Sequence, residues 1–264
     1  MIEHLKYILK SLVDKRNIWW FLSKQDLNSQ FRRSKLGSLW LIINQLSFAF
    51  GAGLIWAAVF GLNPIEFIPF IATGFAVWAF VASCFVDGCS SFNVSQGYIK
   101  QVNLPLPIYT MRILSSSLIR LGIGLGVAFL VVIIFGGLNQ TFGILYIIPG
   151  IVLVVSCGFF ISLTLSYLGA KYKDLQHGLS NLFQLLFVLT PVIYPPDMLI
   201  KKGLWFAVYF NPLSSFIQVI RTPLVEGKPS LLVDYITLIF VLFLFIFLSR
   251  LVKDKLGDKI AYCI

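Results

Sequence analysis

Few side chains in this sequence are equipped for bond-making chemistry, and those few are not placed to cooperate. His4 and His177 lie far apart in the chain, and neither has an acidic companion at a spacing that would orient an imidazole for general acid–base work. Cys84, Cys89, Cys157 and Cys263 show neither the paired spacing of a zinc site nor the framework of a disulfide-stapled domain. The first three sit in or beside apolar runs and read as small packing residues, and His177 reads as a helix-end residue at the surface. A Gly-x-x-x-x-Gly-Lys-Ser/Thr loop, whose backbone N–H groups would cradle a nucleotide phosphate, is missing from the sequence as well. The expectation is a chain with no catalytic residue, no metal and no cofactor of its own. If it works as an energised pump, its engine is on another polypeptide.

The remaining candidates would bind rather than react. Arg32, Arg33 and Lys35 gather three cations just ahead of a long apolar run. Paired guanidiniums match phosphate oxygens, while the same cations also serve to set topology and anchor a chain to anionic lipid. Arg120 lies about seven residues inside an apolar run, roughly 10 Å at 1.5 Å per residue. From there it could snorkel to the headgroups, make a structural hydrogen bond, or line a pathway.

Two stripes have the chemistry for a sliding carbohydrate. Phe183, Phe187, Thr190 and Tyr194 fall on one face of a helix, and Trp40, Asn44, Ser47, Gly51 and Ile55 form a second face with polar and small members. Sugar rings stack their C–H faces on aromatics and hydrogen-bond through their hydroxyls. Lipid contact or plain packing is the competing use of such faces.

These residues have to be positioned by membrane helices. Hydrophobic residues make up 58% of the 264 and charged residues only 12%, about half the charge of an average soluble domain at ~25%. The apolar residues gather in runs of about 20, the length that crosses a hydrocarbon core. Spans are expected near 38–60, 67–86, 113–135, 144–168, 177–195 and 232–250. With the N-terminus inside, sixteen of the 21 basic residues fall on the cytoplasmic side, and the opposite side holds only Lys201, Lys202, Arg221 and Lys228. This bias sets both ends in the cytoplasm. It also accounts for the net charge of +10 without a nucleic-acid partner. Apart from span ends, no carboxylate is expected inside a span, which argues against ion-coupled transport.

Residues 1–36 form a separate cytoplasmic segment. Leu5, Ile8, Leu9, Leu12 and Val13 recur at helical spacing, followed by Trp19, Trp20 and Phe21 among Lys15, Arg16 and Lys24. This suits a helix lying at the lipid headgroups, or one packing on another subunit. No cleavable signal peptide is expected in so polar a segment. The loop 87–112 holds a short polar helix at about 90–101 and is broken by Pro105 and Pro107. The 196–230 segment is too apolar for a free loop and too interrupted for a span, so short re-entrant outer helices are expected there. Pro149 and Pro191 are expected to mark kinks.

Four stretches, in order, resemble the ABC-2 class of permeases, in particular those exporting bacterial O-antigen, capsule and teichoic acid. They are Phe31-Arg-Arg-Ser-Lys-Leu-Gly-Ser-Leu-Trp40; Gln96-Gly-Tyr-Ile-Lys100 followed by Val102-Asn-Leu-Pro105; Tyr172-Lys-Asp-Leu175 running into Leu189-Thr-Pro-Val-Ile-Tyr-Pro195; and Asn211-Pro-Leu213 followed by Arg221. Lys173 stands where this pattern more often has Arg.

The resemblance implies an all-α, six-span membrane domain over residues 37–264 in the bacterial inner membrane. It implies a homodimer with two copies of a separate ABC ATPase that binds ATP and magnesium. Gln96, Gly97, Tyr98, Ile99 and Lys100, with Lys171, Lys173 and Asp174, would seat the ATPase. The path would run between two copies of spans one and five, with an outer gate at Pro195, Pro196, Asn211 and Pro212. Arg32, Arg33 and Lys35 would receive the pyrophosphate of a polyprenyl-linked glycan. A drug, lipid or haem exporter of the same superfamily would share the topology. A membrane-bound glycosyl- or acyltransferase would have to act without a recognisable acid–base pair.

Overall fold

A computed structural model describes residues 2–136, 143–257 and 260, so Cys263 lies outside the described residues. Every regular element among them is a helix. Two helices, α1 (Ile2–Asp14) and α2 (Arg16–Phe31), precede the first membrane-length helix α3 (Leu39–Phe60). A tight turn follows: Gly61 closes α3 in the left-handed region at φ 66°, and the Asn63 side chain accepts from the Ile65 N–H to open α4 (Pro64–Val94). Then come α5 (Gln96–Gln101), α6 (Pro107–Gly136), α7 (Ile144–Lys171) and α8 (Leu175–Leu189). The short α9 (Pro196–Lys201) and α10 (Phe206–Tyr209), then α11 (Pro212–Glu226), lead to α12 (Leu232–Leu256).

α4 is the spine, packing on α3, α6, α7, α8 and α11. Its seam with α7 is built from small residues, because with lipid outside as apolar as the core, close backbone approach and interhelical hydrogen bonds hold helices together. A β-carbon on Gly88 would collide with Ser162, and one on Gly169 with the Cys89 carbonyl. Across the same seam Ser166 Oγ donates to the Gly88 carbonyl at 2.9 Å, Ser162 Oγ to the Cys84 carbonyl at 2.9 Å, and the Ser91 and Ser166 hydroxyls meet at 2.6 Å. Cys84, Cys89 and Cys157 are buried and free.

Among the described residues, five helices are long and apolar enough to cross a bilayer: Leu39–Phe60, Pro64–Gln101 (α4 with α5), Pro107–Phe135, Leu145–Lys171 and Leu232–Leu256. Three sequence expectations change. The helix containing the second span runs on past residue 86 to Val94, so most of the expected loop 87–112 is helix and Asp87 lies within α4. The third begins at Pro107, not 113. In place of the expected span 177–195 stands α8, which ends at Leu189 and has 15 residues from Leu175, about 22 Å against a core of ~30 Å. The reason is Pro191, which disfavours helical geometry at Thr190 and offers no N–H, so it ends the helix instead of kinking it. Pro149 lies inside the continuous α7.

Contacts define the two ends of the bundle. At the basic end α1 and α2 pack on α6, His4 and Tyr7 of α1 touch Ser249 and Lys253 in the last turns of α12, and the Asn93 amide donates to the Gly169 carbonyl. At the other end Gly143 abuts Pro223 and Gly227. Thus α8 starts at the basic end, α11 finishes at the opposite one, and the segment from α8 to α11 carries the chain between them.

Candidate substrate groove and coupling face

α3 and α8 both lean on α4 and leave an open groove of about 630 Å³ between them. Its wall is aromatic. Phe48 and Phe75 stack with centroids 3.9 Å apart, and Trp78 stands 5.6 Å from both Phe183 and Phe187. Ser83, Ser180 and Gln184 supply hydrogen-bonding groups. Of the expected path residues, Phe183 is buried and Phe187 half-buried in this wall, while Trp40, Asn44, Ser47 and Gly51 lie exposed along the uncovered face of α3. Thr190 and Tyr194 are not on α8. Thr190 is buried beyond its end and accepts from the Asn211 amide at 2.9 Å, and Tyr194 donates to the Val188 carbonyl at 2.7 Å.

Phe75 and Trp78 were not foreseen because they lie on α4, whose face toward the groove no stripe on α3 or α8 announces, and Phe48 lies on α3 beside the stripe through Trp40, Asn44, Ser47 and Gly51 instead of on it. Asp87 and Arg120 form a second missed feature. Arg120 Nη2 donates to Asp87 Oδ2 at 3.2 Å and to Ser117 Oγ at 2.9 Å, and Asp87 lies on the groove lining. Two opposite charges interrupting neighbouring apolar helices could have been paired on sight, since charges inside membrane helices seek one another. Behind Phe75 and Ser83 a smaller cavity reaches Asn44, Gln45 and Arg120.

The basic end presents the expected coupling residues. Gln96, Gly97, Tyr98 and Lys100 of α5 are exposed and Ile99 half-buried; Lys171, Lys173 and Asp174, between α7 and α8, are exposed at the same end. Arg112, not singled out in the sequence, ties this face together. Its Nε and Nη2 donate to the two Asp26 oxygens at 2.6 Å each, Nη1 reaches Ser95 Oγ at 3.4 Å, and the guanidinium carbon lies 5.2 Å from the Tyr98 ring centroid. One side chain thus joins α2, the start of α5 and α6. Arg32, Arg33 and Lys35 are exposed in the turn between α2 and α3, where the Trp40 indole donates to Ser34 Oγ at 3.0 Å.

α1 packs on the chain's own bundle, an arrangement the sequence analysis did not anticipate. Ile8, His4 and Ser11 are buried against the bundle, while Leu9 and Val13 stay exposed, with Trp20 and Phe21 of α2 exposed beyond them. His4 Nε2 meets Ser249 Oγ at 3.3 Å, its buried Nδ1 finds no partner among the described residues, and Lys253 Nζ lies 4.1 Å from the Tyr7 ring centroid. Burial lowers the pKa of the His4 imidazole, with the nearby Lys253 charge acting in the same direction, and burial raises that of the Tyr7 phenol.

The expected gate residues build the break after α8. Pro195 caps α9 and Pro196 opens it; Pro212 opens α11, and the Asn211 side chain accepts from the Leu213 N–H. Arg221, read from sequence as an outer-loop cation, is instead 2% exposed within α11. It donates to the Pro191 and Val192 carbonyls at 2.8 and 2.9 Å and stacks 3.8 Å over Phe70. It thereby satisfies oxygens freed where α8 stops.

Residues 17–225 match the model of the family described as ABC-2 type transporter. Two relatives from Klebsiella pneumoniae, both described as O-antigen export system permease protein RfbA, are 27% and 29% identical to the chain. The alignments cover 89% and 90% of this chain and 89% of each relative. A protein of the same description from Myxococcus xanthus is 24% identical over 71% of the chain and 72% of its own length.

Proposed function

The chain belongs to the ABC-2 type transporter family, and from that premise we propose that it is the membrane subunit of an ATP-driven exporter that carries a lipid-linked polysaccharide, O-antigen in type, out of the cytoplasm across the bacterial inner membrane. The observation that carries the substrate class is the aromatic groove between α3 and α8, with Trp78, Phe183 and Phe187 in its wall and Ser180 and Gln184 at its edge. Such a surface offers stacking faces and hydrogen bonds to successive sugars without gripping any one of them. The descriptions of the relatives support the same class.

The groove opens beside the exposed face of α3, and a second copy of this chain set against that face and α8 would turn two grooves into one enclosed passage. Two ABC ATPase subunits, holding ATP and magnesium, would dock on α5 and the Lys171–Asp174 turn, and closure of those subunits would open the passage. Residues 1–36 would rest at the lipid headgroups beside them. Arg32, Arg33 and Lys35 would receive the polyprenyl pyrophosphate at the cytoplasmic mouth, and the break held by Asn211 and Arg221 would form the outer gate.

Deleting this chain from its host tests the reading directly. Full-length polyprenyl-linked polymer should accumulate in the cytoplasm while the cell surface is bare of it. Unchanged surface glycan would discard polysaccharide export and leave a drug, lipid or haem exporter of the same superfamily.

A further inference from the structure

Away from the groove, the end opposite the basic one encloses a second cavity of about 630 Å³, bounded by the start of α4, the segment around α9 and α10, one face of α11 and the start of α12. α11 has two unlike sides. Phe216, Ile217, Val219, Ile220 and Leu224 are buried in the core, whereas Ser214, Ser215, Gln218 and Thr222 form a polar stripe at helical spacing that lines the cavity.

The stripe is hydrogen-bonding capacity left unused. Ser214 and Ser215 are 2% and 4% exposed, and neither hydroxyl is hydrogen-bonded to another described residue. Thr222 donates to Gln218 Oε1 at 3.3 Å, and both residues line the cavity. Hydroxyls and amides that line a cavity without a partner on the protein are hydrogen-bonded by water there, or by a ligand that takes the water's place.

The rest of the lining narrows the ligand. Phe67, Phe70 and Tyr209 contribute aromatic surface, and Glu66, Asp197, Glu226 and Asp234 contribute carboxylates against the single ammonium of Lys228. Hydroxyls and an amide along one wall, aromatic surface in the lining and carboxylate acceptors together suit a polyol ring. The excess of negative charge disfavours phosphate or uronate and favours neutral or amino-bearing sugars.

We propose that this cavity is a saccharide subsite on the exit side of the membrane, occupied by neutral or amino-bearing sugar units of the polymer as it leaves. The proposal rests on the polysaccharide-export reading above and adds to it a holding site apart from the aromatic groove. Such a site would retain the emerged polymer while the ATPase subunits reset.

The test uses the assembled exporter in cells that make their own polymer. Thr222→Cys is labelled from outside with a membrane-impermeant benzophenone maleimide, the cells are irradiated, and the purified chain is stained for glycan. Leu232→Cys, exposed and outside the cavity lining, is the reference. Thr222→Cys should give several-fold more glycan adduct than the reference, and none in cells unable to make the polymer. Adding Gln218→Leu should cut that yield several-fold. Equal adduct at both positions, in cells where deletion of the chain does trap polymer, overturns the subsite and leaves the export reading standing. If deletion traps no polymer, the export reading falls first and the subsite with it. Should Thr222→Cys fail to assemble, Val225→Cys reports on the same cavity.

Discussion

At the scale of single residues, the charges on this chain act through their partners. Arg112 is 7% exposed in its side chain and holds a 29% exposed Asp26 through two short bonds. Removing one member of such a pair strands the other. Asp26→Ala should therefore destabilise the protein by about 2 kcal/mol, a figure reduced from the fully buried case for the exposure of the carboxylate. Thermal unfolding of the purified protein checks this, and Asp26→Ala combined with Arg112→Met should recover part of the loss, which no pair of independent sites would do. His4 supplies a pH dependence with a definite sign. Its folded pKa is lowered, so the unfolded chain takes up the proton first. The docking of α1 on α12 is at full strength above the ordinary imidazole value of about 6.5 and is lost as pH falls below it. Protection factors in α1, with the intrinsic pH dependence of amide exchange divided out, should fall as the pH is lowered from 7.5 to 5.5, and His4→Leu should abolish that fall; an unaltered pH response in the variant would remove His4 as its source.

At the scale of elements, α5 shows where an assignment can be separated from a fold. Lys100 is exposed in its last turn and makes no ion pair among the described residues. Lys100→Glu should leave the unfolding temperature within the small range usual for surface changes, about 0.5 kcal/mol, and still lower export several-fold by weakening the seat of the ATPase. Normal export would remove α5 from the coupling role. The short α5 and the interrupted 196–230 segment were legible in the sequence, because glycine, proline and local polarity report directly on backbone geometry. Three features were not. Asp87 ended the expected second span because hydropathy counts a charge as a boundary, yet a charge met by Arg120 lets the helix run on through it. Arg221 was counted as an outer-loop cation because nothing local announces that the Pro191 and Val192 carbonyls stand within its reach. The aromatic stripe on α8 was extended to Thr190 and Tyr194 across Pro191, where periodicity continues but the helix does not. In each case the deciding partner lay on another helix or in the chain break, beyond any window of neighbouring residues.

At the scale of the whole molecule, the bundle keeps its closest packing along α4 and leaves α3 and α12 largely uncovered. A β-carbon added at Gly51, on the exposed face of α3, meets no heavy atom within 4 Å. Gly51→Trp should therefore fold and bind its ATPase normally while blocking polymer export, since the added ring would project into the passage proposed between two copies. Export at the normal rate would take this face of α3 out of the path. The Arg221 clasp has a longer-term consequence. Its acceptors are main-chain oxygens, present whatever amino acid the gene encodes there, so point mutation of Val192 cannot delete its acceptor, whereas losing the guanidinium removes both bonds at once. Side chains around the break after α8 can thus change through descent while the same clasp is inherited, with one codon under constraint and its neighbours free to vary.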